Sequence, residues 1–268
     1  MLEKLMSKSS LLIFLLFISS FLGGIILPPA DNFKKIENKA FKTGEKLTFD
    51  VKYGFVTAGI ATFYIPKIKR ISGRDAFHIT FEVNTVPSFD WIFKVRDRYE
   101  TYLDTEGLFP WRFEQHIREG SYSRDFSAFF DQRKGKAKTS EGEYDIPKYV
   151  NDIVSAFYLA RTFDYSKLKV DDRIHLKNFY KNKVYDLDIR YHGKETVEVT
   201  AGKFDCIIVE PLVQEGGLFK SEGSILVWMT DDALKMPVKV KTKVIIGAID
   251  GELTAYEGLA GKPTSKKN

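Results

Sequence analysis

The chain has 268 residues, 44% of them hydrophobic, and a formal net charge of +5. That charge is modest and spread along the sequence, which excludes a nucleic-acid reader with its basic residues gathered on one surface. A single cysteine, Cys206, excludes an intrachain disulfide framework, and 22 Phe with 13 Tyr supply ring area suited to pleated, half-buried strands.

The first element is an apolar leader. Leu11 to Leu27 carries no charge and follows a segment holding Lys4 and Lys8. Such a segment directs a chain into or across a membrane. Two fates fit residues 1–30. One is a signal peptide cut after Ala30; the other is an N-terminal anchor kept in the inner membrane. Ser19, Ser20, Gly23 and Gly24 weaken the apolar run and favour cleavage. As a helix, the 17 uncharged residues reach roughly 26 Å, just short of the ~30 Å hydrocarbon core. Pro28-Pro29 ends the helix in either case. The expected location is the periplasm or cell envelope, with membrane association through residues 11–27.

Strand-like alternation begins in earnest after Phe41. Leu47, Phe49, Val51 and Tyr53 alternate with Thr48, Asp50 and Lys52, so one set enters a core while the other meets water. Gly54 and Gly59 bracket a turn expected around Thr57-Ala58, and Ile60 to Ile65 returns as a partner. After a turn at Gly73, Ala76 to Val86 places Phe77, Ile79, Phe81 and Val83 on one face. Pro87 to Phe93 breaks the pattern with an aromatic cluster of Phe89, Trp91 and Phe93. Strands are expected again at Lys94–Asp104, Arg112–Ile117 and Tyr122–Asp131, and an edge hairpin over Lys134–Tyr144.

One helix is predicted, from about Asp152 to Phe163, with Asn151 or Asp152 as its cap. Further strands follow at Tyr185–Tyr191, Glu195–Thr200, Asp205–Gln214, Gly223–Met229, Val238–Val244 and Ala248–Tyr256. Gly216-Gly217 reads as a turn between two of them. Cys206 lies in the apolar run Cys206–Val209 and reads as a small buried hydrophobe. Lys239, Lys241 and Lys243 share one strand face, which reads as a solvated surface. The expected fold is mainly β: an antiparallel curved sheet forming a barrel, half-barrel or sandwich, with one central helix near 152–163. The domain runs from 41 to 259, as one unit or as two lobes at 41–150 and 165–258. A disordered tail is expected over 260–268.

No catalytic signature is present. His78, His116, His175 and His192 stand far apart with no H-E-x-x-H, so no metal site is expected. Gly223-Ser224 lacks the second glycine of a nucleophile turn, and no phosphate-cradling glycine loop implies a cofactor. Arg96, Arg98 and Glu100 share a strand face; the two guanidinium groups could grip an anion or belong to a cross-strand ion-pair ladder. Asp231-Asp232 reads more readily as turn-forming than as a calcium site.

Several short motifs, in this order, carry a resemblance: Gly44–Val51, Ala58-Gly59, Val95–Arg98, Asp152–Tyr158, Ala201–Phe204 and Val227–Asp232. Over about Phe41 to Leu259 the chain resembles the DUF3108 family of exported bacterial proteins of unknown function. The resemblance implies a β-rich envelope protein and brings no activity or catalytic residue with it. The function expected from the residues is non-enzymatic: binding of a lipid, a glycan or an envelope protein on a concave sheet. Phe89, Trp91 and Phe93 are the candidate wall or lid, and Arg96 and Arg98 the candidate anchors. The alternatives are a hydrolase or glycan-processing enzyme assembled from distant carboxylates (Glu100, Glu114 and Asp131 first) and a structural scaffold with a filled core.

Overall fold

A single antiparallel sheet holds every strand described from Lys46 onward. The computed structural model describes residues 32–213, 225–243 and 248–267, with the backbone alone at Val213 and Lys243. The leader, Gly216-Gly217, Gly223-Ser224 and Val244 lie outside the described residues. Lys35–Asn268 forms one compact unit.

The strands are β1 (Lys46–Tyr53), β2 (Val56–Ile71), β3 (Arg74–Thr85), β4 (Arg96–Asp104), β5 (Pro110–Glu119), β6 (Tyr122–Asp131), β7 (Lys136–Thr139) and β8 (Gly142–Asp145). Helix α1 (Ile153–Ala160) follows, then β9 (Arg173–Tyr180), β10 (Lys183–Val199), β11 (Gly202–Val213), β12 (Ile225–Thr230), β13 (Pro237–Lys243) and β14 (Ala248–Glu257). Their spatial order is β8 through β1, then β14 down to β9. Each half is a meander of hairpins, and the pairing of β1 with β14, from Lys46↔Glu257 to Tyr53↔Ile249, joins the halves into one sheet.

The sheet is curved, and its two ends come close without a ladder between them among the described residues. Phe179 on β9 packs edge-on against Phe130 of β6 at 5.7 Å and against Tyr144 of β8 at 6.2 Å. Thr139 Oγ1 donates to Asn182 Oδ1 at 3.2 Å across the same seam. The free edge of β9 is met by Asn151, whose N–H donates to Lys177 O and whose carbonyl accepts from Phe179 N.

Helix α1 lies inside the curl. Asp152 caps it by accepting from Val154 N and Ser155 N at 2.8 and 2.9 Å, and Ser155 Oγ accepts in return from Asp152 N. Thr101 on β4 adds a third bond to the carboxylate at 2.7 Å. Burial nevertheless raises the Asp152 pKa to about 6. The folded value lies above the unfolded one of 3.8, so its contribution to stability is complete below about pH 4 and is lost as pH rises through 6. The shift corresponds to about 3 kcal/mol. Asn caps as well as Asp, so Asp152→Asn is expected to flatten the stability profile between pH 4 and 6. Denaturant midpoints at four pH values across that window check this; an unchanged slope would contradict it.

Turns 54–55, 120–121, 140–141 and 181–182 lie at one end of the strands, called here the upper end. Turns 72–73 and 200–201 and the 231–236 connection lie at the lower end. The lower interior is filled. Ile65, Ile79, Leu103, Phe130, Tyr158 and Leu159 pack there at 2% exposure or less. At its floor a fully buried ion pair ties the helix to the N-terminal segment. Arg161 reaches Glu45 with Nη1 at 2.6 Å and Nη2 at 2.8 Å, and donates to the carbonyls of Ala40 and Leu234.

Three expectations need correction. The tail is ordered through Lys267: Ser265 O accepts from Asp205 N, Lys267 N donates to Lys203 O, and Lys267 Nζ reaches Asp205 at 2.5 Å. Backbone hydrogen bonds along β11 hold a segment too polar to bury a core of its own. The first hairpin turns at Gly54-Phe55, and Thr57-Ala58 belong to β2, opposite a register shift between Val51 and Lys52 of β1. Gly59 sits beside this irregularity because an added Cβ would meet Asn84 O at 2.8 Å. Strand β9 was not anticipated.

Candidate functional site

Above the filled floor, the interior holds a cavity of about 720 Å³. Its walls come from the inner faces of β1–β4 and β9–β14 and from one side of α1. The period-2 alternation of each strand sets its inner face. On β2–β4 that face carries Phe63, Phe81 and Tyr99, which lie opposite one another in register. Phe63 stacks on Phe81 at 4.2 Å and on Phe157 of the helix at 5.1 Å. Across the cavity, Val209, Val227 and Val240 form a cross-strand row that continues into Gly251 and Val51.

Polar groups are few. Asn178, Tyr99 and Thr242 are the lining residues with polar side chains. Burial pushes the Tyr99 hydroxyl up to about 12, so it stays protonated at neutral pH. Asn178 is 4% exposed, and its Oδ1 is buried with no hydrogen-bond partner among the described residues. A buried acceptor left unpaired costs free energy, so a donor brought in by a ligand would be stabilised there. Among the described residues the cavity opens at the upper end, where Ile249 lines it and is still 40% exposed. Cys206 is fully buried, and burial raises its thiol to about 12, as suits an inert hydrophobe.

None of the five residues singled out from sequence lines this cavity. Phe89 is half-buried, while Trp91 and Phe93 are 82% and 53% exposed on the connection between β3 and β4. Arg96 is spent on that connection. Its Nη2 and Nη1 hold Asp90 at 2.6 and 3.0 Å, and Nη1 also donates to Thr85. Arg98 lies in an ion-pair ladder, 3.2 Å from Glu82 and 2.8 Å from Glu100. Most residues that line the cavity are legible in the sequence only as apolar positions on strands or on the helix.

The carboxylates considered for hydrolysis are also elsewhere. Glu100 and Glu114 face each other across β4 and β5, and with His116 they bring three ligand-type atoms within 4.8 Å of one another. They line no part of the cavity. Burial pushes the Glu100 pKa up, but bonds from His78 and Arg98 outweigh it and hold it below the usual value. Arg112 pairs with Glu114 at 2.6 Å and Asp125 with His116 at 2.7 Å. The cluster therefore carries its own counter-charges, which leaves little attraction for a cation. Asp131 accepts from Arg133 N and Lys134 N in a lower-end turn. Asp232 likewise accepts from Leu234 N and Thr230 Oγ1.

A curved antiparallel meander wrapped around one helix and an apolar hollow defines a β-barrel-like protein. The structure of a β-barrel-like DUF1849 protein from Brucella abortus shares this fold, with a TM-score of 0.53 at 10% identity over 81% of this chain and 99% of that one. Two further structures are less alike. A candidate lipoprotein from Parabacteroides distasonis gives 0.36 at 10% identity over 84% and 100% of the two chains. A candidate exported protein with a YmcC-like fold from Bacteroides fragilis gives 0.34 at 11% identity over 83% and 98%. No curated protein matches the sequence. The model of DUF3108, a protein family of unknown function, matches residues 48–254, and the chain belongs to that family. No helix among the described residues is long and apolar enough to cross a membrane.

Proposed function

We propose that this protein is a non-enzymatic cell-envelope protein that holds a lipidic ligand in the cavity above α1. The carrying observation is the lining: about 720 Å³ of space walled by aliphatic and aromatic side chains with three polar ones among them. That volume falls within the roughly 300–1,000 Å³ of small-molecule sites. A glycan would need many more hydrogen-bond partners than Asn178, Tyr99 and Thr242 provide. A scaffold without a ligand has no use for unfilled apolar space, which forfeits packing. The exported leader read from residues 1–30 supports the envelope location.

In this reading Phe63, Phe81 and Phe157 contact the acyl part, and Asn178 receives a donor from the polar part. The protein purified without detergent is expected to carry lipid, seen by mass spectrometry of an organic extract. After delipidation it should bind a fluorescent fatty acid with about one site per chain. An extract free of lipid, together with no probe binding, would reject the proposal.

A further inference from the structure

The upper end carries an apolar rim that the cavity does not account for. Pairing places Ile249, Tyr53 and Val56 side by side across β14, β1 and β2, and residues directly opposite share a face. Ile249 lines the cavity, so this row continues the inner wall outward. Tyr53 is 48% and Val56 54% exposed, and Phe55 at the hairpin tip is fully exposed. Apolar surface thus runs unbroken from the ligand space to the tip of the molecule.

The connection between β3 and β4 stands at the same end. Trp91, Ile92 and Phe93 follow one another there at 82%, 56% and 53% exposure. They are not loose. Asp90 is clamped by Arg96 and Thr85, Phe93 N and Ile92 N donate to Phe89 O, and Val86 N donates to Ala58 O on β2. A loop so fixed presents its rings to water at a standing cost in free energy, which marks an interaction surface.

The charge at this end selects the partner. Among the described residues there, Asp90 pairs with Arg96, Asp125 with Arg118 and Glu141 with Arg124, while Asp250 Oδ1 has no hydrogen-bond partner. Lys94 adjoins the exposed aromatics, and Lys181 and Lys183 lie at the β9–β10 turn. None of these three lysines has an ion pair among the described residues. Tryptophan and tyrosine beside free lysine suit the boundary between acyl chains and anionic headgroups.

We propose that the upper end docks on an anionic lipid bilayer, with Phe55, Trp91, Ile92 and Phe93 entering the interface so that the cavity opens toward the membrane. The inference rests on the reading of the cavity as a lipid site, and its test separates the two. Trp111 and Trp228 are 0% and 8% exposed, and residues 11–27 contain no tryptophan. Trp91 fluorescence therefore reports on this rim even in the full-length chain.

The full-length protein is mixed with vesicles of phosphatidylcholine carrying brominated acyl chains, with and without phosphatidylglycerol. Trp91 emission should shift to the blue and be quenched, more strongly with the anionic lipid, and Trp91→Phe should remove the change. Phe55→Ser, Ile92→Ser and Phe93→Ser should each weaken the partitioning that quenching reads by about tenfold, and Lys94→Gln with Lys181→Gln and Lys183→Gln should abolish the anionic preference. Fatty-acid binding by the same variants reads the cavity independently and should be retained. Quenching with an empty, non-binding cavity would uphold docking and remove the carrier reading. Trp91 unquenched in both vesicles would overturn the proposal. So would a blue shift that depends on protein concentration without lipid, which would assign the rim to a second copy of the chain.

Discussion

Gly251→Phe is expected to abolish fatty-acid binding while leaving the fold at least as stable as the parent. Gly251 lies between Val240 and Val51 in the cross-strand row that walls the cavity, and it lines the cavity itself. Its backbone is ordinary for a strand, and an added Cβ would meet nothing closer than Val240 Cβ at 3.8 Å. A side chain at this position therefore grows into the ligand space without backbone strain. The ring would remove apolar surface from water, worth roughly 1.5–3 kcal/mol for a fully buried Phe. Affinity for the probe should fall more than about tenfold, equivalent to more than 1.4 kcal/mol. Gly251→Ala is the control: it adds one methyl, should keep binding, and should gain about 0.5–1 kcal/mol from the lost glycine entropy. Probe titration and thermal melts of both variants decide the matter. Full binding by a folded Gly251→Phe variant would place the ligand outside the cavity.

The second large effect lies at the floor. Arg161→Met with Glu45 left in place is expected to cost about 3–5 kcal/mol, because it strands an unpaired carboxylate in a fully buried site. Both side chains of the pair are 0% exposed. The guanidinium also serves the carbonyls of Ala40 and Leu234 and lies 5.2 Å from the Tyr158 ring centre, so one change unties the N-terminal segment, the helix and the 231–236 connection together. For a chain of this size the loss corresponds to roughly 10 °C in Tm. The double variant Glu45→Leu with Arg161→Met should recover most of it, since a buried ion pair contributes little net stability over an apolar pair of similar volume. Urea midpoints for the two single variants and the double variant give the coupling. Independent, additive losses would argue against a shared keystone.

Much of the fold was legible because the signal is local. Tyr122–Asp131 is legible residue for residue, and the apolar run at helical spacing points to a cap at Asn151 or Asp152, of which the structure uses Asp152. Strand β9 was missed although Ile174 and Leu176 alternate with Arg173, His175 and Lys177. Asn178 then takes the inward position that the alternation assigns to a hydrophobe, which truncates the pattern. The tail was misread because its order comes from main-chain bonds to β11, which composition does not register.

The site was harder to see. Alternation tells which face of a strand is apolar, but it does not tell whether the space behind that face is filled. Val209, Val227 and Val240 have the same sequence signature as the fully packed Ile65 or Ile79. The aromatic cluster at Phe89, Trp91 and Phe93 was conspicuous for another reason. Asp90 and Arg96, apart in sequence by one turn of loop, pin it on the outside of the mouth and not along the wall. The arginine that looked like a ligand anchor is the clamp that holds the rings in place.

The seam between β8 and β9 has a mechanical meaning. In a fully hydrogen-bonded barrel, strand number and stagger fix the girth. Here the circle is completed by packed rings, by the Thr139–Asn182 hydrogen bond and by Asn151 bridging to β9. Among the described residues, parting the seam breaks no ladder, so no closed set of strand pairings fixes the diameter of the hollow.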